Sequence, residues 1–221
     1  MEMHFLLFNL SIMKNFLLII FSCFLLCVSG YAQTLKTIEI GDHAPFPTYE
    51  MMNVDGNSVS IDNIIGVNGA LVIFTCNTCP FVVGRGKTEG WEGRYNALIE
   101  FASAHGIGTI LVNSNHAKRE GDDSYTMMKN RSRDMEYSAP YVVDEESKLA
   151  NGFGARTTPH TFLFNSDFKL VYKGVIDDNV DSSDEVDEEF LLIAIERTSE
   201  GKGVKTSETS PVGCSIKRVN K

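Results

Sequence analysis

Two cysteines separated by two residues are the part of the sequence best suited to chemistry. Cys76 and Cys79 follow an apolar run, and Pro80, a residue common in the first turn of a helix, comes directly after them. A helix start carries unpaired amides and partial positive charge, which favour the thiolate that attacks disulfides. We therefore predict a redox pair in which Cys76, on the exposed edge of the turn, attacks, and Cys79, one turn deeper, resolves.

Other uses of a cysteine pair fit the sequence less well. A structural zinc site needs a second ligand pair, but there is no second Cys-x-x-Cys and the five histidines are scattered. Haem attachment needs a histidine after the second cysteine, where Pro80 stands. A structural disulfide without turnover stays open as an alternative. We predict no metal and no cofactor.

Strands and helices alternate around the pair. The run 70–74 is continuously apolar, as expected of a central strand that is covered on both faces. Four glycines between Gly84 and Gly93 predict a break in the following helix, with a regular part over 94–105. Further strands are predicted over 108–113, 141–144, 161–164 and 168–172, and further helices over 122–135, 145–151 and 184–198.

Capping and turn residues add detail. Asp55-Gly56 is a favoured hairpin turn and predicts a hairpin over 49–61. Asp122 or Asp123 is expected to cap the helix that follows, and Gly152 to end the next one. The order of elements indicates an α/β fold with a mixed sheet.

The composition limits the classes of function. The 221 residues carry 20 Lys and Arg against 29 Asp and Glu, a net charge of -9. Nucleic acid is therefore not an expected partner, because contact with phosphates needs a basic face. The acidic segment 177–189 is predicted to begin a helix and to form a solvated face.

Residues 1–32 are predicted to be a secretory signal peptide, cleaved near Ala32. Phe16–Val28 is almost unbroken apolar, with Lys14 before it and a small-x-small exit after it. An uncleaved membrane anchor is one alternative, although the run is shorter than the roughly 20 residues of a membrane span. A lipoprotein is another, although the lipobox-like Ile20-Phe21-Ser22-Cys23 lies inside the apolar core.

Cleavage would leave an extracytoplasmic protein, periplasmic or secreted, with three cysteines. Cys23 and Cys27 leave with the signal peptide. The remaining odd number is no dense disulfide scaffold, so these cysteines are expected to do chemistry.

Three segments together resemble the thioredoxin superfamily, and within it the extracytoplasmic thioredoxin-like and redoxin (AhpC/TSA-like, TlpA-like) branch. They are Ile40-Gly41-Asp42-His43-Ala44-Pro45, the pair Cys76 and Cys79, and Thr158-Pro159 before a strand. The resemblance runs over about 40–195. It implies a thioredoxin-like fold with a central mixed sheet flanked by helices and an N-terminal β-hairpin extension. The expected domain covers 33–200, followed by a polar tail over 201–221 that is loose except near Cys214.

The resemblance also implies roles for residues outside the cysteine pair. Pro159 is expected to be cis, facing the pair, and the backbone of Thr158 to dock the substrate. Peroxiredoxins place a Thr three residues before their reactive cysteine, whereas this chain has Ile73 there and Thr75 next to Cys76. This departure favours disulfide exchange over peroxidase chemistry.

Three further features leave alternatives open. Cys214 is either a third redox cysteine that reaches the site or an idle or buried thiol. His116 follows a strand end and is expected to be a solvated loop residue that has some chance of lying near the site. Trp91 and Tyr95 are expected to pack in the core.

These observations predict a thiol-disulfide oxidoreductase that acts on extracytoplasmic disulfides. Its partner would be a protein or a small-molecule disulfide or thiol, with a membrane reductant donor where the source organism has one. Two alternatives are an AhpC/TSA peroxiredoxin-like peroxidase and a non-catalytic binding protein with a structural disulfide. The oligomeric state is left open.

Overall fold

The computed structural model describes residues 35–219, so the predicted signal peptide and the alternatives of an anchor or a lipoprotein lie outside the described residues. The strands are β1 Met51–Asn53, β2 Ser58–Val59, β3 Gly69–Thr75, β4 Ile107–Asn113, β5 Tyr141–Val143, β6 Thr157–Thr158, β7 His160–Asn165, β8 Leu170–Gly174 and β9 Cys214–Ser215. The helices are α1 Ile61–Ile64, α2 Pro80–Val83, α3 Tyr95–Ala104, α4 Tyr125–Asp134, α5 Lys148–Phe153 and α6 Phe190–Ser199. Across 35–219, every helix is too short or too polar to cross a bilayer.

Seven strands form one mixed sheet in the order β2-β1-β5-β4-β3-β7-β8. β3, β4 and β5 run parallel, and the outer strands are antiparallel to their neighbours. The predicted hairpin is confirmed, because Met51 of β1 pairs with Val59 of β2, and β1 extends the sheet through β5. The predicted α/β fold with a central mixed sheet and an N-terminal hairpin is therefore confirmed.

Strand β3 lies at the centre and is buried along its whole length, which explains its continuous apolar sequence. Leu71 and Ile73 point into one core cluster, which contains residues of α3, α4 and α6. Val72 and Phe74 point into a second cluster, with residues of α1 and α5. The end of β3 is thus fixed from both faces, and the cysteine pair follows it directly.

The predicted break after the cysteines is confirmed. Helix α2 ends at Gly84, whose φ of 78° suits glycine and whose missing Cβ would lie 2.3 Å from the carbonyl oxygen of Glu89. The segment that follows is held by the loop after β8, because the amides of Glu89 and Gly90 donate to the carbonyls of Asp181 and Val180. The regular helix begins only at Tyr95.

Two predicted helix boundaries are wrong. Helix α4 is capped by Ser124, whose hydroxyl accepts from the amide of Met127, and not by Asp122 or Asp123. Asp123 does not cap the helix because its buried carboxylate accepts hydrogen bonds from three asparagines. Helix α5 continues past Gly152 and ends at Gly154, where φ is 60°.

The acidic segment does not begin a helix as predicted. Helix α6 starts at Phe190, and most of the acids lie in the loop that precedes it. Asp177 is buried, and its carboxylate accepts hydrogen bonds from Trp91 Nε1 at 2.7 Å and Arg94 Nη1 at 2.6 Å. This acid therefore fixes the segment after the cysteine pair and is not part of a solvated face.

The tail over 201–219 is held by backbone hydrogen bonds at 207–209 as well as near Cys214, whereas the segment was expected to be loose except near Cys214. Lys173 of β8 exchanges backbone hydrogen bonds with Ser207 and Thr209, and β9 pairs with β6. Ile216 is buried in the second core cluster. These contacts place Cys214 in the middle of an anchored segment.

Candidate active site

The cysteine pair lies where β3 passes into α2. Cys76 follows the last residue of β3, and Cys79 is the N-cap of α2, with Pro80 in the first turn. The prediction that Cys76 lies on an exposed edge is wrong, since the residue is 2% exposed and Cys79 is 3% exposed. The cover comes from β6 and β9, which bring Thr158 and Cys214 against the pair.

Both sulfurs contact Thr158. Cys76 and Cys79 are free thiols, without a disulfide between them. The Cys76 Sγ lies 3.1 Å from the Thr158 hydroxyl, and the Cys79 Sγ lies 3.0 Å from the Thr158 carbonyl oxygen, to which a protonated Cys79 donates. The Thr158–Pro159 peptide bond is cis, as the resemblance implied. One residue therefore contacts both thiols from the opposite side of the cleft.

The two thiols have opposite pKa shifts. The pKa of Cys79 is lowered to about 5, chiefly because the Cys76 thiol donates to it, with further donation from the Cys214 thiol and from the amides of Cys214 and Phe81. The same hydrogen bond to Cys79, together with burial, raises the pKa of Cys76. When the reduced pair loses one proton, these contacts therefore favour the negative charge on Cys79 over Cys76.

The third cysteine reaches the pair. Cys214 lies in β9, directly opposite Thr158 of β6. Its amide donates to the Cys79 Sγ at 3.3 Å, and its thiol hydrogen-bonds the same sulfur. Of the two alternatives for Cys214, the structure thus places it at the site, where its own pKa is raised to about 11 by burial and by Cys79.

A buried carboxylate that the sequence did not single out as a site residue holds the loop between the cysteines. Asp123 accepts from the Asn77 amide at 2.9 Å, from Asn113 Nδ2 at 2.8 Å and from Asn115 Nδ2 at 3.0 Å. The Tyr141 hydroxyl donates to Asn77 Oδ1 at 2.9 Å. The only sequence signal was the position of these groups at and after strand ends, where side chains from parallel strands meet.

The other residues considered from the sequence hold a turn or pack in the core. His116 accepts the amide of Glu146 on Nδ1 at 3.1 Å, so it organises a turn. Trp91 and Tyr95 are buried in the core, as predicted. The Thr75 hydroxyl bonds the Tyr95 hydroxyl at 3.0 Å.

A cleft of about 170 Å³ opens onto the three cysteines. Thr158 and Asn115 line its walls, and Lys118 and Lys217 lie at its exposed edge. Among the described residues, no group of three or more His, Cys, Asp or Glu side chains is placed to bind a metal. The cleft can therefore bring an external sulfur to a dithiol flanked by two positive charges, in a chain that is otherwise acidic.

Solved structures share this fold. An uncharacterised conserved protein from Geobacillus kaustophilus has a TM-score of 0.72 at 29% identity, covering 84% of this chain and 95% of that one. A hypothetical protein from Sinorhizobium meliloti 1021 has a TM-score of 0.71 at 26% identity, covering 84% of this chain and 98% of that one. A peroxidoxin from Mycobacterium tuberculosis, at 10% identity and a TM-score of 0.50, covers 74% of this chain and 95% of its own, and shares the fold alone.

Comparison with protein families gives a match to Redoxin over residues 39–189. None of the curated proteins compared with the sequence matches it. The family match spans more than half of the chain, includes both cysteines of the pair, and agrees with the thioredoxin-like fold, so the resemblance inferred from the sequence is confirmed. Membership of this family indicates a redox function on a thioredoxin-like scaffold. The chain belongs to the Redoxin family of the thioredoxin superfamily.

Proposed function

We propose that the protein is a thiol-disulfide oxidoreductase whose reacting groups are Cys76 and Cys79. The observation that carries the proposal is the placement of two free thiols together against Thr158 at the start of α2, where the Cys76 thiol lowers the pKa of Cys79 to about 5. Two thiols held this close need little rearrangement to close a disulfide, the step in which the pair donates two electrons. The adjoining cleft supplies the access that the buried sulfurs need.

In the proposed reaction, Cys76 passes its proton to Cys79 along their hydrogen bond and attacks one sulfur of a substrate disulfide. The other substrate sulfur leaves as a thiolate and takes a proton from solvent. Cys79 releases that proton to solvent, favoured by the amides of Cys214 and Phe81, and attacks the Cys76 sulfur. The second substrate thiol leaves, so the substrate disulfide is reduced and the dithiol becomes the Cys76–Cys79 disulfide.

The proposed substrate is a protein or a small molecule with an accessible disulfide. The resemblance suggests that the backbone of Thr158 docks an extended substrate chain, and Thr158 does line the cleft. We also propose that the protein works outside the cytoplasm after cleavage near Ala32, and that a membrane donor returns it to the dithiol. N-terminal sequencing of the exported protein tests the first of these two points.

Trapping of a mixed disulfide tests the mechanism. The background is Cys214→Ser, which removes a third thiol near the pair. Adding Cys79→Ser should let Cys76 capture a substrate and then stop, whereas adding Cys76→Ser should leave little adduct. With a model disulfide such as oxidised glutathione, mass spectrometry then reads the adduct and its position.

The two variants also separate the roles of the cysteines. Adduct on Cys76 in the Cys79→Ser variant supports the proposed order of attack. Adduct that accumulates on Cys79 in the Cys76→Ser variant instead reverses the roles. No adduct in either variant contradicts exchange and favours a binding protein with a structural disulfide.

A peroxidase reaction is the alternative within the same family. A peroxidase would oxidise one cysteine to a sulfenic acid before a second thiol resolves it. Consumption of hydrogen peroxide by the reduced wild-type protein, measured beside reduction of a model disulfide, decides between the two. The proposed oxidoreductase should reduce the disulfide much faster than it consumes peroxide.

A further inference from the structure

The C-terminal strand brings a third thiol to the inner cysteine of the pair. The Cys214 amide lies 3.3 Å from the Cys79 Sγ, and the two thiols are hydrogen-bonded. Cys76 also bonds Cys79. Cys79 is therefore the common neighbour of two other thiols, and one of them, Cys214, lies 135 residues from it along the chain.

This placement is built into the fold on both sides of Cys214. Before it, Gly213 passes so close to β6 that an added Cβ would lie 2.2 Å from the Thr158 carbonyl oxygen. After it, the Ile216 side chain is 5% exposed, and the Lys217 amide donates to Asn115 Oδ1 at 2.8 Å. Asn115 also bonds Asp123, which holds the loop between the other two cysteines. One hydrogen-bond network thus fixes all three thiols.

We propose that Cys79 has two disulfide partners, and that a Cys76–Cys79 disulfide is exchanged within the protein for a Cys79–Cys214 disulfide. The inference rests on the proposed function, because that function makes the first disulfide. It adds Cys214 as a third reacting residue and makes the anchored tail part of the redox centre.

The exchange balances without any external oxidant or reductant. The Cys214 thiolate attacks the Cys79 Sγ, the Cys79–Cys214 bond forms, and the bond to Cys76 breaks. Cys76 leaves as a thiolate and takes the proton that Cys214 gave up. The molecule remains oxidised by two electrons, but Cys76 is now free to attack another disulfide.

The charges around Cys214 favour the exchange once the pair is oxidised. In the reduced protein, burial is the largest cause of the raised pKa of Cys214. The hydrogen bond with Cys79 and the negative charge on Cys79 raise this pKa further. A disulfide at Cys79 carries no charge, so the contributions of Cys79 disappear. Lys217, which lowers the pKa of Cys214, remains. Oxidation of the pair thus makes Cys214 a better nucleophile toward Cys79.

Peptide mapping tests the inference because the three cysteines fall on two tryptic peptides. Cleavage after Lys and Arg leaves Cys76 and Cys79 together on 37–85 and Cys214 on 206–217. The wild-type protein is oxidised with one equivalent of diamide, quenched at low pH with N-ethylmaleimide and digested. The expected result is a cross-link between the two peptides that fragmentation assigns to Cys79 and Cys214.

Three variants serve as controls. Cys76→Ser should form the same cross-link. If serine at this position disturbs folding, Cys76→Ala repeats the test. Cys79→Ser should show about tenfold less cross-link, because it removes the thiol that Cys214 contacts and leaves Cys76 as the remaining partner on peptide 37–85. Cys214→Ser reports on the proposed function alone. In this variant, peptide 37–85 can form only an internal disulfide, which is seen as a mass lower by two hydrogens.

The outcomes separate the two proposals. An internal disulfide in Cys214→Ser together with a Cys79–Cys214 cross-link in the wild type supports two disulfide partners for Cys79, and growth of that cross-link at the expense of the internal disulfide after the diamide is consumed supports the exchange. An internal disulfide without any cross-link in the wild type overturns the exchange and leaves the proposed function standing. If Cys214→Ser forms no internal disulfide, the proposed function fails, and the exchange fails with it because there is no disulfide to exchange.

Discussion

The backbone amide of Asn77 donates a hydrogen bond of 2.9 Å to the buried carboxylate of Asp123, 46 residues away in the chain. Asn77 lies between the two cysteines, and Asp123 precedes helix α4. The same carboxylate also accepts from Asn113 and Asn115. Asp123 therefore joins the loop of the cysteine pair to the end of β4 and, through Asn115, to the segment that carries Cys214.

Replacing Asp123 by alanine should destabilise the protein strongly. Hydrogen bonds to charged groups contribute about 1.5–3 kcal/mol each, and three donors, two of them buried, would lose their acceptor, so we expect a loss of about 3–5 kcal/mol in the free energy of unfolding. Urea unfolding measures this loss. Asp122→Ala, at the exposed neighbouring position, is the control and should change stability by less than about 0.5 kcal/mol.

Replacing Asp123 by asparagine should make Cys76 more reactive. The pKa of Cys76 is raised by its hydrogen bond to Cys79 and by burial, and the charge of Asp123 adds to the rise. In a background of Cys79→Ser and Cys214→Ser, Asp123→Asn should shift the pH dependence of alkylation at Cys76 to lower pH. An unchanged pH profile in a folded variant would contradict a role for this charge.

Adding a methyl group at Gly213 should release the strand that carries Cys214. The added Cβ would overlap the Thr158 carbonyl oxygen, and overpacking of this kind costs about 1–3 kcal/mol. Alkylation of Cys214 in Gly213→Ala should therefore be about 5- to 150-fold faster than in the wild type. Gly203→Ala is the matched control, since nothing lies within 4 Å of its Cβ. Equal rates in both variants would mean that close packing at Gly213 does not hold Cys214.

Removing the Asp177 carboxylate should loosen the segment behind the cysteine pair. Asp177 pairs with Arg94, whose side chain is 14% exposed, and accepts from the indole of Trp91. Breaking a buried ion pair by removing one partner costs about 3–5 kcal/mol, so Asp177→Ala should lose about that much stability. The fluorescence of Trp91, the one tryptophan of the chain, should change as well. Asp184→Ala, in the exposed part of the same segment, should leave both unchanged.

Stability should depend on pH through His160. Its side chain is 1% exposed, its Nδ1 accepts the Arg156 amide at 3.3 Å, and burial, with the charges of Arg156 and Lys173, lowers its pKa to about 3. Because this pKa lies below the unfolded value of about 6.5, the unfolded state binds the proton first as the pH falls. Neutral His160 makes its full contribution to the free energy of unfolding above about pH 6.5. Below that pH, the free energy of unfolding falls by about 1.4 kcal/mol per pH unit until about pH 3.

Urea unfolding at a series of pH values checks this prediction. His160→Asn keeps an acceptor near Nδ1 but does not titrate, so its stability should fall less steeply below pH 6.5 than that of the wild type. His43→Asn, at an exposed position, should keep the wild-type slope. Parallel slopes for the wild type and His160→Asn would show that His160 is protonated as easily when folded as when unfolded.

Local patterns in the sequence predicted most of the fold. The apolar run at β3, the turn at Asp55-Gly56 and the glycines that break the helix after Pro80 each act within a few residues, and the structure has all three features. The cysteine pair was also found locally, because Cys76 and Cys79 lie three residues apart on a strand-to-helix turn. Over a few residues, hydrophobic periodicity and turn chemistry are sufficient to predict such features.

The surroundings of the pair could not be predicted in this way. Burial of Cys76 comes from β6 and β9, and the partner of Cys79 lies 135 residues along the chain. Asp123 had the sequence position of a helix cap, and only the packing of two loops shows that its carboxylate faces inward. Contacts between distant segments depend on how strands and loops close over one another, which no local pattern encodes.

A redox titration of the Cys214→Ser variant tests the central claim most directly. This variant retains Cys76 and Cys79 as the possible disulfide partners among the described residues. In glutathione buffers of graded potential, we expect one reversible two-electron transition, with the disulfide mapped to peptide 37–85. Thiols that stay reduced at every potential, or a disulfide that opens only when the protein unfolds, would contradict a redox-active pair.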